Sequence, residues 1–536
     1  MTVKNVENRR FGAPGKGVLS PATYALLGAV IAAFLWLPLV QTPFWQDDYV
    51  FLYHAGEAVE QGESWLSPFY NKPLGIFWRP LGTNLYWRFA LQVLKASPLA
   101  IHLANLLIFI LAITAVGWLS AAFASLLPEA GAPGNSKDRE ERGGFSSAGF
   151  WSALLFGIHG AFFLPLAWAS GVQELLALLF SALALRGWLA GLKPEPRASE
   201  HILMILCPVW FLLALFCKEG VIVLPVLAVI LTIMIKARPG RAAWAVAGAS
   251  LLILTAWIIF RANMANPIDP DSPYAPQLGF NVVRNGLALG FFYFNAPREA
   301  MRLMLRGQIL QGAAWGGGIL LVHTLAVILV ARRVLATNGR RVLLYLAGFT
   351  LAAAFPYLFA SWNCYPYYIL LGLFSWAILV AIWIGKGNKV PHEGLERSHR
   401  KTSPAPVILA IGAFLLLVGG QYFLGYPAIM ARAMWADKTL NAIERKLEQT
   451  GIPEEATIIL HTEDESHLAA LGWQKGIAWR MGISADRVVI PEEPDIKGTS
   501  RDSLYPENAV HIRISQDGLI IDIGDERYTL PSRKRE

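Results

Sequence analysis

The sequence predicts an α-helical polytopic membrane protein of about eleven transmembrane helices. Interfacial helices are expected in its first outer loop, and a small soluble C-terminal domain of α/β or α+β type closes the chain. Three observations lead there. Of 536 residues, 55% are hydrophobic and 16% charged, where soluble chains carry roughly 25% charged residues, and mean hydropathy is +0.43. The 19 Trp suit a chain with two lipid–water interfaces. The net charge of +8 is also unevenly placed: residues 427–536 hold 14 basic against 19 acidic side chains, and residues 1–426 hold 32 against 19. A basic membrane part and an acidic tail therefore share one chain. This balance excludes a disordered protein, a nucleic-acid-binding tail and a plain cytosolic enzyme.

Apolar runs long enough for ~30 Å of hydrocarbon lie near 22–40, 98–127, 149–166, 170–190, 202–217, 219–235, 242–260, 313–331, 342–359, 366–385 and 405–425. A further apolar piece, 285–296, is too short to span. The first run is too long for a cleaved signal peptide and lacks a small-x-small site, so it reads as a signal anchor. With the cytoplasmic segment 1–21 inside, the inner loops carry 21 Lys and Arg and the longer outer segments 10. The positive-inside rule thus places the N-terminus in the cytoplasm and residues 427–536 outside.

The first outer segment, 41–97, mixes Trp and Tyr with scattered charge, as juxtamembrane helices do. In the tail an amphipathic helix is expected near 428–449. Short alternating strands follow at 456–461, 487–490, 509–514, 518–523 and 527–530, divided by turn residues. The three cysteines, Cys207, Cys217 and Cys364, form neither a disulfide framework nor a metal-ligand spacing.

Several polar groups sit where apolar sequence makes them expensive. Asp47-Asp48-Tyr49 follows the first span. Paired carboxylates there either supply a general base, hold a divalent cation, or cap the next helix. Arg79, between Trp78 and Pro80, is placed to grip an anionic group bidentately or to snorkel to lipid phosphate. Lys218-Glu219 divides two spans with no room for a loop, which marks a functional pair or a self-neutralised hairpin. His159 and Glu174 stand near the outer ends of neighbouring spans. His102 and Asn105 share one helix face and suit hydrogen bonds between helices. Arg261, Arg284, Arg298, Arg302 and Arg306 form an outer basic set that calls for an anionic partner. Neither a Gly-rich phosphate loop nor a Ser-His-Asp arrangement is present in the sequence.

In order along the chain, these segments resemble the GT-C glycosyltransferases, integral membrane enzymes that use polyprenyl-phosphate sugars. The nearer likeness is to the protein O-mannosyltransferase branch. Asp47-Asp48-Tyr49 matches the acidic motif, Arg79-Pro80-Leu81 an Arg-Pro-Leu, and His102 with Asn105 a His-x-x-Asn. His159 and Trp168 match a His-Pro … Ala-Trp segment ending in Glu174-Leu175-Leu176, and Lys218-Glu219 a Ser-Lys-Glu segment. The likeness covers roughly 22–235. Gly160, Leu164, Val172 and Phe109 depart from the pattern.

The resemblance implies transfer of a single hexosyl or pentosyl unit from a polyprenyl phosphate to a hydroxyl of a glycan, lipid or protein acceptor, with inversion. It implies Asp47, with Asp48 as partner or second choice, as base. Arg79 and Lys218 would bind the donor phosphate, with Arg261 a weaker candidate. Tyr49, His159, Glu174, Glu219, His102 and Asn105 would support them. No cofactor and no metal are expected, and the expected location is a bacterial inner membrane. The competing functions are a flippase or transporter for lipid-linked glycan, a non-catalytic scaffold with an exported binding domain, and an oligosaccharide polymerase or ligase.

Overall fold

The computed structural model describes residues 19–71, 77–127, 144–193, 195–264, 268, 270, 272, 274–305, 307–361, 364–386, 419, 422, 425–450, 456–462, 465–491, 509–515, 518–523 and 526–531. Helix α1 (Pro21–Trp36) begins at a Ser20 cap whose Oγ accepts from Thr23 N at 3.2 Å. Its buried face is Ala25, Gly28, Ala29, Ala32 and Ala33, closed at the C-terminal end by Trp36, while Leu26, Leu27, Ile31 and Phe34 are exposed. Small residues inward and large apolar residues outward are what packing in lipid selects, since tails solvate Leu as well as a core does.

Seven helices are long and apolar enough to span: Pro21–Gln41, Pro98–Leu126, Ala169–Gly191, Ala198–Leu215, Arg241–Met264, Ile309–Ala336 and Arg340–Leu358. An eighth forms if Ser147–Gly157 and Gly160–Ala167, bent by 56°, count as one. The chain is thus a multi-pass membrane protein, but the described residues do not reach eleven spans. Run 219–235 opens as a 3₁₀ turn and leaves a helix of 12 residues, Leu224–Ile235, only ~18 Å long. Run 366–385 does the same, with 13 helical residues in Phe374–Lys386. Run 405–425 lies outside the described residues apart from 419, 422 and 425.

The first outer segment holds α2 (Asp47–Glu60), a π-helical turn at Pro80–Leu85, and α3 (Tyr86–Gln92). The later elements used below are α4 (Pro98–Leu126), α5 (Val172–Gly191), α6 (Arg241–Met264), α7 (Arg298–Leu305), α8 (Arg340–Leu358) and α9 (Tyr426–Thr450).

After α9 comes a five-stranded sheet in the order β2-β1-β3-β4-β5. Its strands are β1 (Ile458–Thr462), β2 (Val488–Val489), β3 (Val510–Ser515), β4 (Gly518–Ile523) and β5 (Glu526–Pro531). β1 runs parallel to both neighbours, and β3-β4-β5 form an antiparallel meander. Ile458, Ile459 and Leu460 are fully buried, as a central parallel strand requires. The sequence reading assigned no helix to the β1–β2 connection, which contains α10 (Glu465–Leu471) and α11 (Trp473–Met481).

These two helices seat the C-terminal part on α2. Gln46 N donates to Ala470 O at 3.0 Å, and Ala485 N donates to Tyr53 Oη at 2.9 Å. Gly472, at φ +75°, has no room for a side chain: a Cβ would lie 2.8 Å from Gln46 O and 2.9 Å from Tyr49 Cβ. Gln46, bonded to Ala470 O, is itself at φ +54° and ψ −125°, a backbone conformation that favours glycine and costs other residues roughly 1–3 kcal/mol.

Candidate functional site

A cavity of about 540 Å³ opens beside the start of α2. Consecutive helical residues point ~100° apart, so Asp47 and Asp48 face different surroundings. Asp47 lines the cavity, and its carboxylate makes no hydrogen bond or ion pair with any described residue. Burial raises its pKa to about 6, against the pull of Arg79 and Lys218. Asp48 is fully buried. Its Oδ1 accepts from Ser170 N at 2.7 Å and Ser170 Oγ at 2.5 Å, and its Oδ2 from Trp45 N at 3.2 Å. Burial nonetheless raises it to about 7. Both stand in the first turn of α2, where the helix dipole favours negative charge.

The cations are arranged less simply than their order suggested. Lys218 and Glu219 do not neutralise one another. Arg79 donates from Nε to Glu219 Oε2 and from Nη1 to Gln173 Oε1, each at 2.7 Å, while Lys218 pairs with Glu174 of α5. Two buried pairs thus cross between the Arg79 turn, α5 and residues 218–219. Leu81 N, donating to Phe216 O at 3.2 Å, fixes the turn against the last of these. Arg261, in the last turn of α6, also lines the cavity. It has no carboxylate partner among the described residues, and its Nε is buried without a hydrogen bond. Glu219 Oε1 and Trp168 Nε1, both from residues lining the cavity, are likewise buried and unpartnered.

An aromatic wall completes the cavity. Tyr357 stacks on Tyr368 with ring centroids 4.2 Å apart and planes 7° apart, and Lys218 Nζ lies 5.6 Å from the rings of Tyr367 and Tyr368. Gly220 makes room for it: a Cβ there would lie 1.8 Å from Tyr357 Oη. The far side is apolar, with Ile222, Trp257, Ile258 and Ile268. The arrangement offers a base, an unpaired guanidinium, a flat aromatic face and a greasy flank in one space.

Sequence reasoning brought Asp47, Arg79, Lys218, Glu219 and Arg261 to this cavity and missed Gln173 and the tyrosines. A Tyr run at 365–368 was visible, but a span assignment absorbed it. The other expected residues act at a remove. His102 Nδ1 donates to Leu166 O at 3.1 Å, and Asn105 Nδ2 donates to Ala169 O at 2.9 Å. These two residues of α4 therefore hold the loop whose Ser170 holds Asp48. Tyr49 is buried under Gly472 and Gly476 of the C-terminal part. His159 caps a turn, accepting from Ala161 N at 3.1 Å and donating to Tyr293 O at 3.2 Å, and does not line the cavity. Arg284 donates to Ser361 O at 2.5 Å; Arg306 lies outside the described residues. Among the described residues no group of three or more His, Cys, Asp or Glu is placed to share a metal ion.

No family model matches the sequence, and no curated protein does. Solved structures of similar shape include ArnT from Cupriavidus metallidurans bound to undecaprenyl phosphate, at 12% identity and TM-score 0.46, over 89% of this chain and 87% of that one. The apo state of the same protein matches at 13% identity and TM-score 0.47, over 92% and 93%. The archaeal oligosaccharyltransferase AglB from Archaeoglobus fulgidus, in complex with an inhibitory peptide and a dolichol-phosphate, matches at 12% and 0.44, over 85% and 63%.

Proposed function

We propose that the chain is a membrane glycosyltransferase that moves one sugar from a polyprenyl-phosphate donor to an acceptor hydroxyl at the outer face of the membrane. The observation that carries this reading is a carboxylate, Asp47, and a guanidinium, Arg261, that line the same cavity and have no ion-pair partner among the described residues. Displacement at a sugar C1 needs those two charges: one takes a proton, the other meets the charge that leaves.

The step is as follows. The acceptor O–H gives its proton to Asp47 while its oxygen bonds to C1. The C1–O bond to phosphate breaks, and its electron pair stays on the phosphate oxygen. Arg261, also on the cavity wall, is the fixed cation placed to meet that growing charge, and a positioned cation acts on it without reorganising. Arg79 and Lys218 add positive potential but are held by Glu219 and Glu174, so Arg261 ranks first among the phosphate ligands. The stacked tyrosines suit a sugar ring, and Glu219 Oε1 suits a sugar hydroxyl. The apolar flank suits a prenyl chain. One displacement inverts C1. Lys and Arg bias in the loops supports an inside N-terminus, with the cavity and the C-terminal part outside.

The test uses the full chain in nanodiscs with a panel of polyprenyl-phosphate hexoses and pentoses, and envelope lipid and protein as acceptors. Transfer with inverted anomeric configuration is expected. Retention would rule out single displacement. Absence of transfer together with movement of lipid-linked glycan across vesicles would favour a transporter instead.

A further inference from the structure

Arg298 and Arg302, expected from sequence to seek an anion, lie outside the Asp47 cavity. They line a second, smaller one of about 50 Å³, where a single water needs ~15 Å³. Arg298 and Arg302 come from α7, and Arg432 joins them from α9. Among the described residues one carboxylate lines this space: Glu299, paired with Arg302 at 2.8 Å. Arg298 sits over the Tyr365 ring, 4.2 Å from its centroid, and neither Arg298 nor Arg432 has an acidic partner among the described residues. Burial, then Arg298, then Arg432 disfavour the charge on Arg302, and Glu299 opposes them.

Two more donors line the same space. Asn295, 2% exposed, accepts from Gly160 N at 2.7 Å through Oδ1. That bond fixes its amide and leaves Nδ2 buried without a partner. Trp45, 4% exposed, has an unpartnered buried Nε1. Phe163, Leu164, Phe292 and Ile429 supply apolar walls. Three guanidiniums against one carboxylate among the described residues, with unpartnered N–H groups and apolar walls, suit an oxyanion with several acceptor oxygens.

We propose that this second cavity binds a phosphate group, either the phosphomonoester of a membrane lipid or free phosphate, separately from the Asp47 cavity. The proposal does not depend on the transferase reading. The two cavities meet at one aromatic pair: Trp45 lines the second, Trp168 lines the first, and their rings are 6.0 Å apart.

The experiment uses the full chain carrying Arg261→Gln, so that phosphate at the other cavity does not contribute. It is held in phosphatidylcholine nanodiscs at constant ionic strength. Inorganic phosphate is titrated against chloride, reading heat of binding and melting temperature. Saturable binding with a rise in melting temperature is expected. Adding Arg432→Gln is expected to weaken it tenfold or more, and adding Arg432→Lys to weaken it less. Arg432 has no acidic partner among the described residues, so this variant is expected to fold even if Arg302→Gln does not. Nanodiscs containing phosphatidic acid form the second arm: protection there without added phosphate assigns the site to a lipid headgroup, and protection by free phosphate alone assigns it to a soluble ion. Absence of binding in both arms, or binding that Arg432→Gln leaves unchanged, would overturn the proposal.

Discussion

Replacing Asp47 by Asn separates catalysis from stability, because the two effects have opposite signs. The carboxyl pKa is raised from 3.8 to about 6, so the folded state disfavours the charged form. A raised acid pKa contributes stability below about pH 4, and that contribution is lost as pH climbs to about 6. That rise corresponds to roughly 3 kcal/mol, and the cavity-facing surface of Asp47 lowers this to about 2 kcal/mol after solvent screening. Asn removes the charge and breaks no bond among the described residues. The variant should therefore melt higher than wild type at pH 7.5 and equally at pH 4. Loss of a general base should lower kcat by ~10²–10⁴ with donor KM nearly unchanged. Wild-type kcat should fall tenfold per unit below about pH 6. Thermal unfolding in detergent at the two pH values, beside turnover with the donor panel, reads all three. A less stable variant at pH 7.5, or one retaining more than a tenth of the activity, would refute the assignment.

Asp48→Asn differs at low pH. Both its oxygens accept from backbone N–H groups, so an amide nitrogen in place of either forfeits a bond; at pH 4, where the raised carboxyl is neutral and no charge penalty is relieved, the variant should lose ~1–3 kcal/mol in denaturant unfolding. Arg261→Gln should fold normally and raise donor KM about tenfold or more, whereas Arg79→Gln, which leaves the partly buried Glu219 without its ion-pair partner, should lose ~1–3 kcal/mol. Gly220→Ala drives Tyr357 from its stack, so donor KM should rise, and Tyr357→Phe in that background should recover part of it. Gly472→Val should loosen the C-terminal part from Gln46; limited proteolysis should then cut between the membrane part and the sheet, and kcat should fall because Gln46 aims Asp47.

The membrane architecture was legible because lipid permits few solutions: long apolar runs must be helices. The five strands were legible from alternation and turn residues. The span count was not, since Lys218-Glu219 and Pro366 start short 3₁₀ turns that apolar content alone does not reveal. Asp47, Arg79 and Lys218 stood out because charge amid apolar sequence is rare. Their division of labour did not, since which acid each cation meets depends on how the Arg79 turn, α5 and residues 218–219 approach in space. Asp48 and Asp47 look alike in sequence; one helical step separates a held carboxylate from one without a partner. The second basic cavity joins α7 to α9, over a hundred residues apart, and only the three-dimensional arrangement brings Arg432 to Arg302.

The most direct measurement is single-turnover release of polyprenyl phosphate at pH 7.5 from the donor panel, with acceptor present, by wild type and Asp47→Asn side by side. The account predicts release from at least one donor by wild type and a rate at least a hundredfold lower in the variant. Equal rates in the two proteins would contradict it, because the partnerless carboxylate in the cavity would then take no part in the chemistry.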